Sequence, residues 1–335
     1  MKKYYPSVSI ITCSYNCDIK LLKKHLESIK LQNYPTNKIE HLVMDGGSVN
    51  STSSLFKSYG CKVESRPDLL EFAQVRMAMG IKKAKNEIIL ILEPDNILVG
   101  KNWMSDMISP FIDDKKIFCT FSMYNTYEKD MPNLVKYCAL FGIPDPTLYY
   151  LQKSEKLPLF KKKYYKGQIL REEKKYTVVS FTKENLPTLG DNGHMFRTKL
   201  LQSEITDLNK FTHTDVASRL VVRGYNRVGV VRNQIIHVSE SKILNLVKQR
   251  VRIKRRFYDS EKNRDYLVFN PKVKRDKINL VLYIFFSYTF LVPLLVSIRG
   301  FIYKREPAWF LHPLLCFVMC TAYGISEAKK KIAKS

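Results

Sequence analysis

The chain opens with short apolar runs separated by stretches of helical period. Residues 7–12 form a β-rich apolar run. Ile19, Leu22, Leu26 and Ile29 then recur at the three-and-four spacing of an amphipathic helix, behind Asp18 as a suitable N-cap. Residues 39–44 predict a second strand, 51–59 a short helix and 61–64 a third strand. Residues 72–83 carry another helical pattern, and 87–92 read as a buried strand. This βαβαβαβ alternation predicts a mostly parallel sheet with helices on its faces. The regularity weakens after Leu92. Residues 123–187 are rich in Tyr, Lys and Pro without clear period, and predict loops and short helices over the sheet.

Two runs without a charged core close the pattern, at residues 278–298 and 308–326. Each approaches the roughly 20 apolar residues that a helix needs to cross a bilayer. A helical hairpin with both ends in the cytoplasm is the predicted arrangement, with a shallow in-plane arrangement as the alternative. His312 and Pro313 interrupt the second run, so a buried helix is the competing reading there.

Charge sharpens this picture. The 335 residues hold 56 Lys or Arg against 31 Asp or Glu, a formal net charge of +25. Between Ser241 and Lys277 thirteen Lys or Arg face four Asp or Glu. Such a cluster beside an apolar run reads as a surface for anionic lipid headgroups rather than for nucleic acid. Lys272, Lys274, Arg275 and Lys277 before the first run, and Lys329, Lys330, Lys331 and Lys334 after the second, both read as inside flanks; Arg299, Lys304 and Arg305 blur that signal. The seven Cys show no CxxC pair and no zinc spacing, which fits a reducing compartment. Met1-Lys2-Lys3 leads into Tyr4-Tyr5-Pro6 with no apolar signal core, so the expected location is the cell membrane, multi-pass, with the globular part on the cytoplasmic face.

Acidic residues stand at the predicted carboxyl ends of strands, where open α/β sheets bind ligands. Asp45-Gly46-Gly47-Ser48 follows one strand, and Glu93-Pro94-Asp95 follows another. Each is also an ordinary strand-to-helix turn composition. Ser9-Ile10-Ile11-Thr12 leading to Tyr15-Asn16, then Leu42-Val43-Met44-Asp45-Gly46-Gly47-Ser48, Arg76 in Ala73-Gln74-Val75-Arg76, and the strand ending at Glu93-Pro94-Asp95 together resemble the inverting GT-A glycosyltransferases of family 2. The likeness is dense over residues 7–100 and looser to about residue 240.

That resemblance implies an α/β fold, a Rossmann-like, mostly parallel GT-A sheet, to which the two apolar runs add two C-terminal transmembrane helices. The implied boundaries are a catalytic domain over 1–240, with a nucleotide-binding half at 7–100 and an acceptor-side half at 101–240. A basic segment at 241–277, a hairpin at 278–326 and a basic tail at 327–335 follow. It implies a pocket for a nucleotide-sugar donor lined by Thr12, Tyr15, Asn16, Asp45, Gly46, Arg76, Glu93 and Gly193, with Asp45 against the base. It implies Mg²⁺ or Mn²⁺ on the diphosphate, held by Asp95, the second acid of a D-x-D motif, and by His237 in Gln234-Ile235-Ile236-His237-Val238. Hard cations of this kind suit carboxylate and phosphate oxygens. A lone His on a strand is as readily structural.

Three positions depart from the family pattern: Glu93 stands for the first Asp of D-x-D, Asn50 for an Asp of D-G-S-x-D-x-T, and Thr214 for the Glu of x-E-D. Gly190-Asp191-Asn192-Gly193-His194 resembles the family's loop over donor sugar and acceptor, and equally an ordinary turn. Asp215 matches the family's catalytic base at a helix start, where it also suits an N-cap. The function implied is inverting transfer from a nucleotide-sugar, and the expected membrane hairpin points to a membrane-associated, lipid-linked glycan or glycolipid as the acceptor. Transfer to polyprenyl phosphate, and a non-catalytic membrane scaffold, are the alternatives.

Overall fold

The computed structural model describes residues 4–255 and 264–332. The predicted lysines at positions 2, 3 and 334, and residues 256–263 of the basic segment, lie outside them. The described chain divides into two compact units, one of residues 1–123 and 165–237, the other of 124–164 and 238–335. Residues 124–164, expected within the catalytic domain, thus group with the C-terminal helices.

The first unit is built on one ten-stranded sheet. Its opening half is β1 (Val8–Ser14), β2 (Ile39–Asp45), β3 (Lys62–Ser65) and β4 (Ile88–Ile91), connected by α1 (Ile19–Lys30), α2 (Thr52–Ser58) and α3 (Ala73–Lys83). β1 pairs in parallel with β2 and β4, and β2 in parallel with β3. Every residue of β1 is buried, as a parallel strand covered on both faces requires. The second half comprises β5 (Asn96–Leu98), α4 (Trp103–Asp113), β6 (Ile117–Thr126), β7 (Gln168–Glu172), β8 (Tyr176–Ser180), β9 (His194–Arg197), α7 (Thr198–Ser203), α8 (His213–Val222) and β10 (Arg227–His237). Here the pairing turns antiparallel: β4 with β9, β6 with β9, β10 with β5 and β8, and β7 with β8. The β7–β8 hairpin falls where loops were expected. Exposed β7, with no apolar alternation, gives no strand signal in sequence.

Core side chains lie on both sheet faces. Trp103, Met104, Met107 and Phe111 of α4 pack with Val8, Ile10, Ile88 and Leu90 on one side. Leu22, Leu26, Phe56 and Cys61 pack with Val43 on the same side, since Val43 pairs with Thr12, and on the other side Gly80 of α3 closes against Ile11 and Met44. This sandwich holds the carboxyl ends of β1, β2 and β4 in fixed register.

The second unit is helical: α5 (Asn133–Phe141), α6 (Pro146–Tyr150), α9 (Ile243–Ile253), α10 (Lys274–Thr289), α11 (Leu291–Tyr303) and α12 (Leu311–Ile332). Its core gathers on Trp309 and His312. The His312 ring stacks on Phe141 at 4.0 Å, and its two nitrogens meet the Tyr137 and Tyr150 hydroxyls at 3.0 and 3.1 Å.

The structure supports the predicted hairpin of two spans only in part. Among the described residues one continuous helical stretch, Pro307–Ile332, is long and apolar enough to cross a membrane. The first apolar run instead breaks into α10 and α11, bent 82° apart. Phe290 at the break takes a left-handed φ of 59°, and Pro293 follows in the first turn of α11. Pro293 has no N–H to donate to the carbonyl four residues back, so an unbroken helix through this point is disfavoured.

Candidate active site

The loops at the carboxyl ends of β1 and β2 form one hydrogen-bonded clamp. Asp45 is fully buried, and each carboxylate oxygen has two donors. Oδ1 accepts from the Ser14 hydroxyl at 2.8 Å and the Ser48 hydroxyl at 2.6 Å; Oδ2 accepts from the Gly47 and Ser48 N–H groups at 3.0 and 2.7 Å. Burial alone would raise its pKa, but the Ser48, Ser14 and Gly47 donors outweigh burial and hold it below the usual value. Asn16, at a left-handed φ of 42°, donates its N–H to the Ser48 hydroxyl and accepts the Val49 N–H on its side chain. Tyr15 beside it is exposed.

Asn50 shows why an amide suits its position. Its oxygen accepts from the Thr52 N–H and hydroxyl, while its Nδ2 donates to the Cys17 carbonyl at 3.1 Å. A carboxylate could not make that donation. Arg76, nearly buried, reaches the same loops from α3 and donates Nη1 to the carbonyls of Ser14 and Met44 at 2.7 and 2.9 Å. Gly46 leaves room beneath it, since a Cβ there would stand 2.9 Å from that nitrogen. Thr12 turns its hydroxyl inward. It donates to the Leu92 carbonyl at 2.7 Å and lies 2.8 Å from His41 Nε2, whose other nitrogen faces Cys61 Sγ at 3.3 Å. Burial, reinforced by His25, lowers His41 to about 3.

A second group of acids stands beyond β4, and its chemistry is different. Glu93-Pro94-Asp95-Asn96 is a tight turn, with the Asn96 N–H on the Glu93 carbonyl at 3.0 Å and Pro94 preset for the bend. The β5–β10 register pairs Asn96 with His237, which brings His237 Nε2 to 3.4 Å from Asp95 Oδ2. Asn96 Nδ2 donates both to Asp95 Oδ1 at 2.7 Å and to Asn192 Oδ1 at 3.1 Å. It thereby ties this turn to the glycine-containing loop before β9. Glu93 is pushed up to about 8, first by burial and then by the charges of Asp95 and Asp191; a Cys13 N–H bond and the Arg76 charge pull it partly back.

The 190–194 loop depends on its glycines. Gly190 has a φ of 124°, and a Cβ there would strike the Cβ of His213 at 2.6 Å. Gly193, at φ 86°, packs its backbone against Ile235 and Trp103. Asp191 Oδ2 stands 3.8 Å from His213 Nε2, and His213 Nδ1 lies 3.2 Å from Gln74 Oε1. His213 opens α8, and Asp215 is buried in the same first turn. Thr212 occupies the N-cap position, so Asp215 is not the N-cap. Its place in the first turn still gains from the helix N-terminus.

The fold therefore gathers Glu93, Asp95, Asn96, Asp191, His213 and His237 at one end of the sheet. Thr12, Asn16, Asp45, Gly46 and Arg76 are engaged in the loop clamp. Asp191, Asn96 and His213 were not assigned roles from sequence. The placement of Asp191 inside a Gly-Asp-Asn-Gly turn, and of Asn96 directly after an acid pair, were the available signals. Among the described residues no three acidic, His or Cys side chains form a ready-made metal cage. The pair Asp95–His237, beside a carboxylate raised by burial and by its neighbours' charge, fits a cation held by one or two side chains and completed by phosphate oxygens.

Comparison with known proteins bears on this arrangement. The family model for Glycosyl transferase family 2 matches residues 9–179. No curated protein matches the sequence. Among solved structures, the mannosyltransferase PcManGT from Pyrobaculum calidifontis, in complex with GDP-Man and Mn²⁺, is 12% identical; the match covers 99% of this chain and 89% of that one, with a TM-score of 0.51. TarS from S. aureus is 15% identical over 85% of this chain, with a TM-score of 0.45, and only 44% of the TarS chain is spanned. Glucosyl-3-phosphoglycerate synthase from Mycobacterium tuberculosis, in complex with Mn²⁺ and UDP-glucose, is 13% identical, covering 74% of this chain and 77% of that one, with a TM-score of 0.47. At such identities the likeness to PcManGT shows the fold alone.

Proposed function

Because this chain belongs to glycosyl transferase family 2, we propose that it moves a sugar, with inversion, from a nucleotide-sugar donor to a hydroxyl of a membrane-associated acceptor. The observation that carries the reading is the acid cluster beyond β4: Asp95 against His237, with Glu93 raised to about 8 and Asp191 adding to its load. Carboxylates crowded in this way favour a bound cation. Asp95 and His237 would hold Mg²⁺ or Mn²⁺, which when bound neutralises charge on the departing diphosphate as a Lewis acid.

The chain's own residues divide the remaining work. Asp45, through its four donors, fixes the loop that shapes the nucleoside pocket, with Tyr15 and Asn16 at its rim. Arg76 locks the carboxyl ends of β1 and β2 together and places a positive charge beside Glu93. The Asp191–Gly193 loop, tied to Asn96, covers the donor sugar. Asp215 takes the proton from the acceptor hydroxyl, which then attacks the anomeric carbon opposite the leaving group; positioning and general-base help supply the rate. The acceptor is lipid-linked in this reading. Support comes from the apolar side chains that α10 and α11 expose and from the basic residues flanking them. Those flanks also favour a cytoplasmic catalytic unit.

Calorimetric titration of the full chain with UDP-, GDP- and dTDP-sugars, with and without Mn²⁺, tests the donor site. GDP-Man and UDP-glucose belong in the panel because the two neighbours hold them. Metal-dependent binding of one donor, lost in Asp95→Asn, is expected. Silence across the panel from a folded sample would refute the enzyme reading in favour of a non-catalytic scaffold.

A further inference from the structure

α10 and α11 distribute their residues inside out. Their buried positions are Asp276, Tyr283, Ser287, Pro293, Ser297 and Gly300, mostly small or polar. Gly300 lets the Trp309 ring approach to within 2.4 Å of where a Cβ would be, and Ser297 donates to the Trp309 carbonyl at 2.9 Å. Outward stand Val281, Phe285, Leu291, Leu295 and Ile302, each more than half exposed. Small and polar residues inside with large apolar ones outside is the pattern of helices immersed in lipid. An apolar face of this extent on a chain in water would be an interaction site or a liability.

The depth of immersion follows from the bend. Residues 278–298 as one straight helix would reach about 31 Å, enough for a hydrocarbon core of about 30 Å. Broken by 82° at Phe290, the same residues reach only about 23 Å end to end at a rise of about 1.5 Å per residue. The α12 stretch is long enough, but one side of it is taken up by the rest of the second unit, through apolar side chains along most of its length and polar partners at its ends and at Tyr323. Just before its start, Glu306 pairs with Lys136 of α5 at 3.6 Å. Further along, Tyr323 donates to Asp145, the N-cap of α6, at 2.5 Å. Near its end Glu327 pairs with Lys254, and Ser326 receives Arg255 Nε at 3.1 Å. Residues 124–164 therefore touch this stretch at its start and again at Tyr323, while Lys254 and Arg255 meet it near its end. The helices of residues 124–164, at 9 and 5 residues, span only about 14 and 8 Å, too short to cross with it.

We infer that α10, α11 and the outer face of α12 seat the chain in a single leaflet of an anionic bilayer, entering and leaving from the same side, without crossing it. Exposed Lys272 before α10, Lys274, Arg275 and Lys277 in its first turn, Lys304 and Arg305 after α11, and Lys329 and Lys331 at the end of α12 then lie in the headgroup layer. Each such cation contributes about 1 kcal/mol of attraction to an anionic surface. The inference rests on the membrane-associated reading of the acceptor and specifies how that association is made.

Two experiments on the full chain test it. In sealed vesicles of both orientations, Arg305→Cys and Val49→Cys are labelled with a membrane-impermeant maleimide, with the unsubstituted chain as background. Val49, 88% exposed, reports the side of the first unit. Labelling of both from the same side is expected; labelling of Arg305→Cys only from the opposite side means α12 crosses, and overturns the inference while leaving membrane association intact. Purified protein is then sedimented with vesicles with and without phosphatidylserine. Phe285→Ser combined with Leu295→Ser should reduce binding about tenfold or more with an unchanged circular dichroism spectrum. Undiminished binding would overturn the inference. A wild-type chain that ignores vesicles but forms a dimer broken by the same substitutions would assign the face to a second copy, and would remove the lipid-linked acceptor as well.

Discussion

Two turns at the same end of the sheet carry carboxylates, and they are built in opposite ways. Asp45 is fully buried yet satisfied, with four donors that hold its pKa down. Glu93 and Asp95 stand on a turn with few donors, and burial together with neighbouring negative charge drives Glu93 up to about 8. A carboxylate given every hydrogen bond it can take is organising its own loop. One left among like charges is arranged for something positive that arrives later. The two turns look alike in sequence, and only their partners separate them.

The largest expected effect is at the second turn. Asp95→Asn should cut turnover by about 10³-fold or more, through lost charge stabilisation worth about 4 kcal/mol, without lowering thermal stability. Kinetics and a melting curve on the same sample check both halves. Asp215→Asn should lower kcat by about 10²–10⁴-fold with little change in KM, the loss of a general base. A loss below about tenfold would show that the acceptor arrives already ionised, as a phosphate would.

Stability effects belong to the first turn. Asp45→Ala strands the Ser14, Gly47 and Ser48 donors, and should cost about 2–4 kcal/mol, read as a shift in the urea midpoint. Asn50→Asp, although it restores the family pattern, loses the donation to the Cys17 carbonyl and should cost about 1 kcal/mol. The smallest effect is a pH slope. Glu93 binds its proton more tightly folded than unfolded, so between the ordinary carboxyl value and about 8 the native state holds more protons. Its contribution to stability is therefore present below that window and lost as pH rises through it. Glu93→Gln should flatten this part of the urea-midpoint profile; an unchanged profile would contradict the crowding of charge at this turn.

The parallel half of the fold was legible because its strands and helices alternate in period and end in turn residues. The antiparallel half was not, since β7 has no apolar alternation and β9 is four residues long. At the site, the motif strings located both acidic turns but not the network that ties the second of them to the glycine-containing loop. Asn96 bridging Asp95 to Asn192, and Asp191 facing His213, arise from β5–β10 register and loop packing, which no local pattern encodes. The break in the first apolar run was hidden for a related reason. The run's composition matched a span, while one left-handed residue ahead of Pro293 divided it.

The most direct test of the contrast between the two turns is Mn²⁺ binding followed by electron paramagnetic resonance, with the donor nucleotide present, in wild type and Asp95→Asn. A single saturable Mn²⁺ site in wild type, absent from an equally folded Asp95→Asn, is the predicted result. Equal Mn²⁺ affinity in the two proteins would contradict the account and return the acids beyond β4 to a purely structural role.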